Sequence, residues 1–255
     1  MLIDTHAHLC NEMYDENKVK EILTSMKQNN LEKIITVSSS VNSSKINLEI
    51  SKNENIYCAV GIHPEEQDEF NEENFNLIEN LAKNNKVVAI GEIGLDYHYE
   101  NFNKEIQKYG LITQIKLAYK LKLPIVFHLR DAYDDMLKIL KENLEFLKYG
   151  FVVHCYSGSL EYAKELLRLG AYFSFTGNIT FKNAKRAIEV IEYLPIDKIM
   201  VETDSPYLAP EPLRGTKNEP KNVNYVFKKI CEIKNIEKAQ LDKIIRENVR
   251  NFYKI

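Results

Sequence analysis

The segment Leu2-Ile3-Asp4-Thr5-His6-Ala7-His8 starts with two apolar residues and ends on two histidines. If it forms a strand, His6 and His8 lie on one face, because side chains alternate along a strand. Two imidazoles on one face at the edge of a sheet are typical of a transition-metal site. The same arrangement, a short apolar run that ends on a polar side chain, recurs along the chain and decides the fold prediction.

Short β-branched runs alternate with amphipathic stretches along the whole sequence. The runs that we predict as strands are Leu2–Thr5, Lys33–Val37, Ile56–Gly61, Val87–Glu92, Pro124–His128, Phe151–His154, Ala171–Phe175 and Lys198–Glu202. The apolar spacing i, i+3, i+4 predicts helices over Asn17–Asn29, Phe75–Lys83, Lys104–Leu121, Asp134–Leu147, Leu160–Leu169, Asn183–Leu194, Asn222–Lys234 and Leu241–Phe252.

This alternation predicts an α/β fold, a (β/α)₈ TIM barrel that forms a single domain over residues 1–255. An open, doubly wound sheet is the alternative. The barrel is favoured because six of the strands end on polar residues, and only a closed barrel brings all six to one mouth. The irregular stretch Pro206–Lys221 follows the last strand, so we expect a substrate-facing loop there.

Composition excludes several classes of protein. Apolar residues make up 44% and charged residues 28% of the 255 residues, as in ordinary globular proteins, and the net charge of −3 gives no global attraction to nucleic acid. We find no apolar run long enough to span a membrane and no signal peptide. The four cysteines are far apart and form no C-x-x-C. We therefore expect a cytoplasmic protein and a monomer.

Metal ligands are predicted from the polar residues at the strand ends. A carboxylate that ends an apolar strand is costly to bury unpaired, so we predict that Glu92 binds a cation. Its two oxygens could bridge two cations. Asp204 is our candidate for holding the attacking water as general base. Six candidate ligands predict two metal ions: His6, His8, Glu92, His128, His154 and Asp204.

Other polar residues are expected around these ligands. Arg130 follows His128 on the same strand face and suits a phosphate ester, because guanidinium groups match phosphate oxygens. The alternative for Arg130 is an ion pair with Asp131 or Asp135. His63 closes strand 3 and is a second candidate for phosphate binding. We expect three further residues in supporting positions: Asp4 and Glu202 behind the ligands, and Asp96 farther out on a loop.

Six motifs in order resemble the TatD-type metal-dependent deoxyribonucleases. They are D-T-H-A-H at 4–8, G-I-H-P at 61–64, G-E-I-G-L-D-Y at 91–97, H-L-R-D-A at 128–132, H-C-Y-S-G at 154–158 and E-T-D-S-P-Y-L-A-P at 202–210. The resemblance implies an amidohydrolase-type barrel with two or three divalent cations bound by the six residues named above. It also implies phosphodiester hydrolysis, with His63 and Arg130 on the phosphate. The family usually has Phe where this chain has Tyr156.

The expected activity is metal-dependent cleavage of DNA, as a 3′–5′ exonuclease, a repair-type endonuclease or both. Mg²⁺ or Mn²⁺ is expected in the cell, with Zn²⁺ as the alternative. We expect single-stranded DNA or 3′ ends to bind through backbone phosphates, with Tyr156 and Tyr207 as stacking surfaces for an unpaired base. The rival interpretations are a deacetylase, amidase or lactonase on the same barrel, and a non-catalytic scaffold.

Overall fold

Eight parallel strands, β1 to β8, pair in chain order in the computed structural model, which describes residues 1–100 and 102–255. Their bounds are Leu2–Ala7, Leu31–Val37, Ile56–Val60, Val87–Asp96, Ile125–Arg130, Phe151–Val153, Tyr172–Phe175 and Ile199–Val201. The backbone of β1 meets the segment after β8, where the His8 amide donates to Ser205 O at 2.7 Å and the Asp204 amide donates to His6 O at 2.9 Å. These bonds complete the predicted barrel.

Helices connect successive strands on the outside. The structure has α1 to α9 at Glu16–Ser25, Val41–Ile50, Glu72–Leu81, Lys104–Leu121, Tyr133–Glu142, Leu160–Arg168, Lys185–Tyr193, Val223–Lys234 and Lys238–Tyr253. Among the residues described, no helix has the length and apolar character needed to cross a membrane.

The prediction omitted α2. Its buried residues are Val41, Ser44 and Asn47, so the packed face is largely polar and shows no apolar period. Ser40 begins the helix, because its hydroxyl accepts from the Ser43 amide at 3.0 Å while the Ser43 hydroxyl accepts from the Ser40 amide at 2.8 Å. This reciprocal cap starts the helix without an amphipathic pattern. The Asn47 side chain then bonds to Val37 O at the end of β2, at 3.0 Å.

The barrel lumen is filled by one apolar cluster. It joins inward-facing residues of seven strands to the end of α9: Ile3, Ile35, Val37, Ala59, Val88, Ala89, Val126, Val152, Met200, Val249, Phe252 and Tyr253. Phe252 and Tyr253 in the final turn of α9 join residues near the starts of strands, such as Ile3 and Val88, so this turn closes the amino-terminal end of the lumen. We call this closed end the floor, and the opposite end, where the strands finish, the mouth.

Polar residues begin two positions farther along the same strands. Val126 precedes His128, Val152 precedes His154, and Met200 precedes Glu202, so the alternation that buries one residue in the lumen aims the next at the mouth. The register is irregular in β1 between Asp4 and Ala7 and in β4 between Ile90 and Ile93. These irregularities lie at His6 and Glu92, and they re-aim both side chains into the lumen.

Candidate metal centre

A first group of candidate ligand atoms lies at the ends of β1 and β8 and at Glu92 within β4. His6 Nε2 lies 3.3 Å from His8 Nε2, and His8 Nε2 lies 3.2 Å from Asp204 Oδ1. Glu92 Oε2 lies 3.4 Å from His6 Nε2 and 3.8 Å from His8 Nε2. Four atoms that bind a metal at about 2.0–2.1 Å in a tetrahedron are about 3.3 Å apart. The four side chains are therefore spaced as ligands of one cation.

A second group uses the other oxygen of the same carboxylate. Glu92 Oε1 lies 2.8 Å from His128 Nδ1 and 2.6 Å from His154 Nε2, and these two nitrogens are 3.4 Å apart. His63 Nε2 stands farther away, 3.9 Å from Glu92 Oε1. Glu92 thus faces one cluster of imidazoles with each oxygen, which is the arrangement predicted for a carboxylate that bridges two cations.

The charge state of Glu92 agrees with this arrangement. The side chain is 3% exposed, and burial by itself raises the pKa of a carboxyl group. The neighbouring His154 and His6, with hydrogen bonds from His128 and His154, instead hold the pKa of Glu92 well below its usual range. A buried carboxylate among four imidazoles fits a divalent cation. The number and identity of the cations, and the six ligand assignments, stay predictions.

His128 is held in place from two sides. Its Nε2 lies 2.9 Å from Asp96 Oδ2, so its Nδ1 is the atom that faces Glu92. On the backbone side, Gly94 pairs with His128 across β4 and β5 at a φ of +159°. A Cβ at Gly94 would lie 1.8 Å from His128 O, so only glycine allows this approach.

Two buried carboxylates support the ligand loops. Asp4 accepts from the Thr203 amide at 2.9 Å and from the Thr203 hydroxyl at 2.6 Å, and it thereby fixes the residue next to Asp204. Burial raises the pKa of Asp4 well above its usual value. Glu202 accepts from the Cys155 amide at 2.7 Å, beside His154. Asp4 contacts the backbone amide and hydroxyl of Thr203 rather than an imidazole, whereas Glu202 Oε1 also lies 3.5 Å from His154 Nδ1. The supporting role of Glu202 stays a prediction.

Three of the four predicted substrate contacts, His63, Arg130 and Tyr207, border an open cleft of about 880 Å³ at the mouth. Arg130 lines it and lies against the ring of Tyr99, 5.5 Å from the centroid. His63 accepts from the Glu65 amide at Nδ1, so its proton is on Nε2, toward the cleft. Burial and the neighbouring His128 lower the pKa of His63 to about 3, which leaves the ring neutral. Tyr207 is 46% exposed and receives a hydrogen bond from Asn11.

Two expectations require correction. Tyr156 is 1% exposed, its ring packs against Phe173, and its hydroxyl donates to Ser159 O at 2.7 Å. It does not border the cleft, because Cys155 has a φ of +44° and the chain turns away from the mouth there. Tyr156 therefore offers no stacking surface. Asp96 does not lie on a loop, since β4 extends to it and its carboxylate bonds to His128.

The rival explanation for Arg130 also fails within the described part of the chain. Asp131 lies 3.0 Å from His98, and Asp135 pairs with Lys108 at 3.0 Å. Neither carboxylate forms an ion pair with Arg130 among those residues. Sequence reasoning did not find Tyr99 or Asn11 at the cleft. The only signal for Tyr99 was its place just after the strand that carries Glu92, and for Asn11 its place just after His8.

Comparisons with known proteins agree with the fold and with a metal-dependent hydrolase. The family model described as TatD related DNase matches residues 3–254. An uncharacterised metal-dependent hydrolase of Bacillus subtilis, YabD, is 41% identical over the full length of both chains. A second one, YcfH of Escherichia coli K12, is 33% identical over all of this chain and 96% of its own.

A solved structure shows the same architecture. The crystal structure of YJJV, a TatD homologue from Escherichia coli K12, superposes with a TM-score of 0.94 at 28% identity, over all of this chain and 98% of that one. Together with the nearly full-length family match, this likeness supports the sequence resemblance. The chain therefore belongs to the TatD related DNase family and is a metal-dependent hydrolase.

Proposed function

We propose that this protein hydrolyses phosphodiester bonds in DNA with the help of divalent cations. The observation that carries the proposal is Arg130, a cation at the edge of the cleft that forms no salt bridge with a carboxylate among the described residues. A neutral amide or lactone does not need a guanidinium group beside the cations, whereas a phosphodiester has two non-bridging oxygens that share one negative charge and can bind it. The neutral His63 adds a second donor on the same side.

The residues divide the chemistry among them. Divalent cations bound here supply Lewis acidity and lower the pKa of water. Asp204 Oδ1 lies 3.2 Å from His8 Nε2, and in the proposed mechanism the Asp204 carboxylate orients the attacking water and accepts its proton. Arg130 and His63 hold the non-bridging oxygens and stabilise the charge that develops on them. Glu92 keeps the two ligand groups at a fixed separation.

The proposed binding partner, DNA, follows from the same phosphate-binding residues, Arg130 and His63. Contacts to phosphate oxygens carry little sequence information, so we propose DNA binding through the backbone, at single-stranded segments or 3′ ends. Tyr207 remains the candidate surface for stacking of an unpaired base. Mg²⁺ or Mn²⁺ is the proposed cation, with Zn²⁺ as the alternative. A monomer suffices, because every residue of the centre comes from one chain.

The test compares two arginine variants on end-labelled single-stranded DNA, with Mg²⁺ or Mn²⁺ and with EDTA. We expect metal-dependent cleavage that falls about 100-fold or more in Arg130→Gln, since a charged hydrogen bond to the phosphate is lost. Arg250→Gln, on α9 at the floor, is the matched control and should keep full activity. If the metal-loaded protein cleaves amides or lactones but neither DNA nor RNA, the phosphodiester proposal is wrong.

A further inference from the structure

Opposite sides of the mouth carry opposite charge. In an eight-stranded barrel β3 and β7 are four strands apart in either direction, so the loops that follow them face each other across the cleft. The loop after β3 holds Glu65, Glu66, Asp68 and Glu69 and no lysine or arginine. We call these four residues the acidic rim. Glu65 and Glu66 are exposed and border the cleft directly.

The other side of the mouth, formed by the loop after β7, the first turn of α7 and the loop after β8, carries exposed cations, with Glu211 and Glu219 on the last of these loops. Five exposed cations form what we call the basic rim: Lys182, Lys185, Arg186, Arg214 and Lys217. Among the residues that the structure describes, none of the five has an ion pair. Arg214 lies over the Phe181 ring at 4.4 Å, and the Lys217 ammonium donates to Met13 O. None of the five charges is therefore neutralised by a salt bridge within that part of the chain.

The basic rim is continuous with the catalytic cleft. The loops after β7 and β8 are joined by a hydrogen bond from the Glu211 amide to Thr180 Oγ1 at 2.8 Å. Asn178 on the first loop and Tyr207 with Leu208 on the second border the cleft. A strand whose phosphate is held near Arg130 and Asp204 can therefore continue over Tyr207 onto the basic rim.

The geometry points to a one-sided binding track for single-stranded DNA, which leaves the metal centre over the basic rim and is repelled by the acidic rim. This inference rests on the proposed function and adds the path of the strand outside the cleft. Contacts between lysine or arginine and phosphate are dominated by counterion release, with a salt slope of about 0.7 for each phosphate on a single strand. Five cations along one edge suit several successive phosphates.

The experiment compares a long and a short substrate, the dodecamer dT12 and the dinucleotide dTpdT. The basic-rim variant changes all five cations to Gln. The control variant changes the same number of exposed lysines at the floor to Gln: Lys27, Lys52, Lys83, Lys122 and Lys148. Steady-state kinetics between 25 and 200 mM salt is measured with Mn²⁺, and binding of labelled dT12 is measured by fluorescence anisotropy in EDTA.

For dT12, we expect kcat/KM of the basic-rim variant to fall at least about tenfold, and the slope of log(kcat/KM) against log[salt] to become shallower by about 2 to 3. For dTpdT, we expect kcat/KM to change less than about twofold. Binding of dT12 in EDTA should weaken in parallel, and the floor variant should match the native protein. An equal loss on dTpdT, or no loss on dT12, would overturn the track. If the native protein cleaves neither substrate, the proposed function fails first, and the track fails with it.

Discussion

The floor and the mouth are two ends of one lumen, built by the same strands, and they differ in almost every physical respect. At the floor, Phe252 and Tyr253 are each 4% exposed and pack on apolar strand residues. At the mouth, Glu92 and His154 are buried to the same degree, but they are titratable and lie 2.6 Å apart. On one strand the two environments are two residues apart, as Val152 in the apolar cluster and His154 at the mouth show.

The difference shows how stability and chemistry are divided in this barrel. Burial of apolar surface at the floor contributes to stability directly. Burial of imidazoles and carboxylates at the mouth costs desolvation energy, which only mutual pairing or bound cations offset. We therefore expect floor substitutions to change the free energy of unfolding and mouth substitutions to change metal binding and turnover.

The largest effect is expected from Glu92→Gln. The amide removes the negative charge that both ligand groups share, so bound metal should fall to less than one equivalent and turnover by at least about 1000-fold. Elemental analysis of the purified protein and kcat on labelled DNA measure the two losses. Glu161→Gln, an exposed substitution on α6, is the control. Two tightly bound equivalents in Glu92→Gln would contradict the bridging role.

A floor substitution should show the opposite profile. Phe252→Ala leaves a cavity at the closed end of the lumen and should reduce the free energy of unfolding by about 3–5 kcal/mol. Urea denaturation followed by circular dichroism measures the loss, and Tyr193→Ala, at a side chain that is 49% exposed, should change it by less than about 0.5 kcal/mol. A loss of metal from folded Phe252→Ala protein would show that floor and mouth are coupled.

Gly94→Ala tests the backbone contact that links the two ligand strands. The added Cβ would meet His128 O, so β4 and β5 must separate, at a cost of about 1–3 kcal/mol and with weaker metal binding. Gly170→Ala is the control. Gly170 also has a positive φ, +95°, but no atom lies within 4 Å of its added Cβ, so this variant adds backbone strain without a collision. Isothermal titration with Mn²⁺ or Zn²⁺ reports the affinity of each variant. Equal affinities would contradict the proposed close approach.

The smallest effect concerns pH. Burial lowers the pKa of His8, His128 and His154, but the carboxylates beside these histidines outweigh it and raise the pKa of all three in the metal-free protein. Cations need the unprotonated nitrogens, so protons compete with them as the pH falls. The raised pKa values favour the metal-free fold below about pH 6.5, and that contribution is lost as the pH rises through the folded pKa values.

The metal-induced rise in Tm should therefore be larger at pH 8 than at pH 6. A difference of about 1 kcal/mol corresponds to about 2–4 °C for a protein of this size. Scanning calorimetry with and without Mn²⁺ at both pH values checks the sign. Asp204→Asn, which removes one carboxylate beside His8, should reduce the pH dependence, and a larger rise at pH 6 would contradict the competition.

The sequence predicts the barrel well because its strands and most helices have clear apolar periods. It misses α2, whose buried face includes Ser44 and Asn47, since a polar packed face carries no period. The same limit applies at the mouth. Strand ends predict which side chains come together, but not that Glu92 turns one oxygen to each cluster, because that depends on the register irregularity in β4.

Loop direction is the second limit. Tyr156 and Tyr207 both follow a polar strand end, yet one is buried and the other exposed. The difference depends on how the chain turns at Cys155 and at Asp204, where φ is +44° and +54°. No residue type at either turn specifies the outcome, since neither is glycine. The position of Tyr99 at the cleft was not predicted for the same reason, because it depends on the direction of the loop that follows β4.

The pairing of His8 with Asp204 joins two residues that are 196 positions apart. On a ribosome that adds about 5–20 residues per second, the first ligand waits about 10–40 s for the last one to be synthesised. During that interval β1 has no neighbour on its β8 side, and the histidines at its end are open to solvent. If His8 and Asp204 bind one cation, as predicted, their site is complete only after four-fifths of the chain, 204 of 255 residues, has been made.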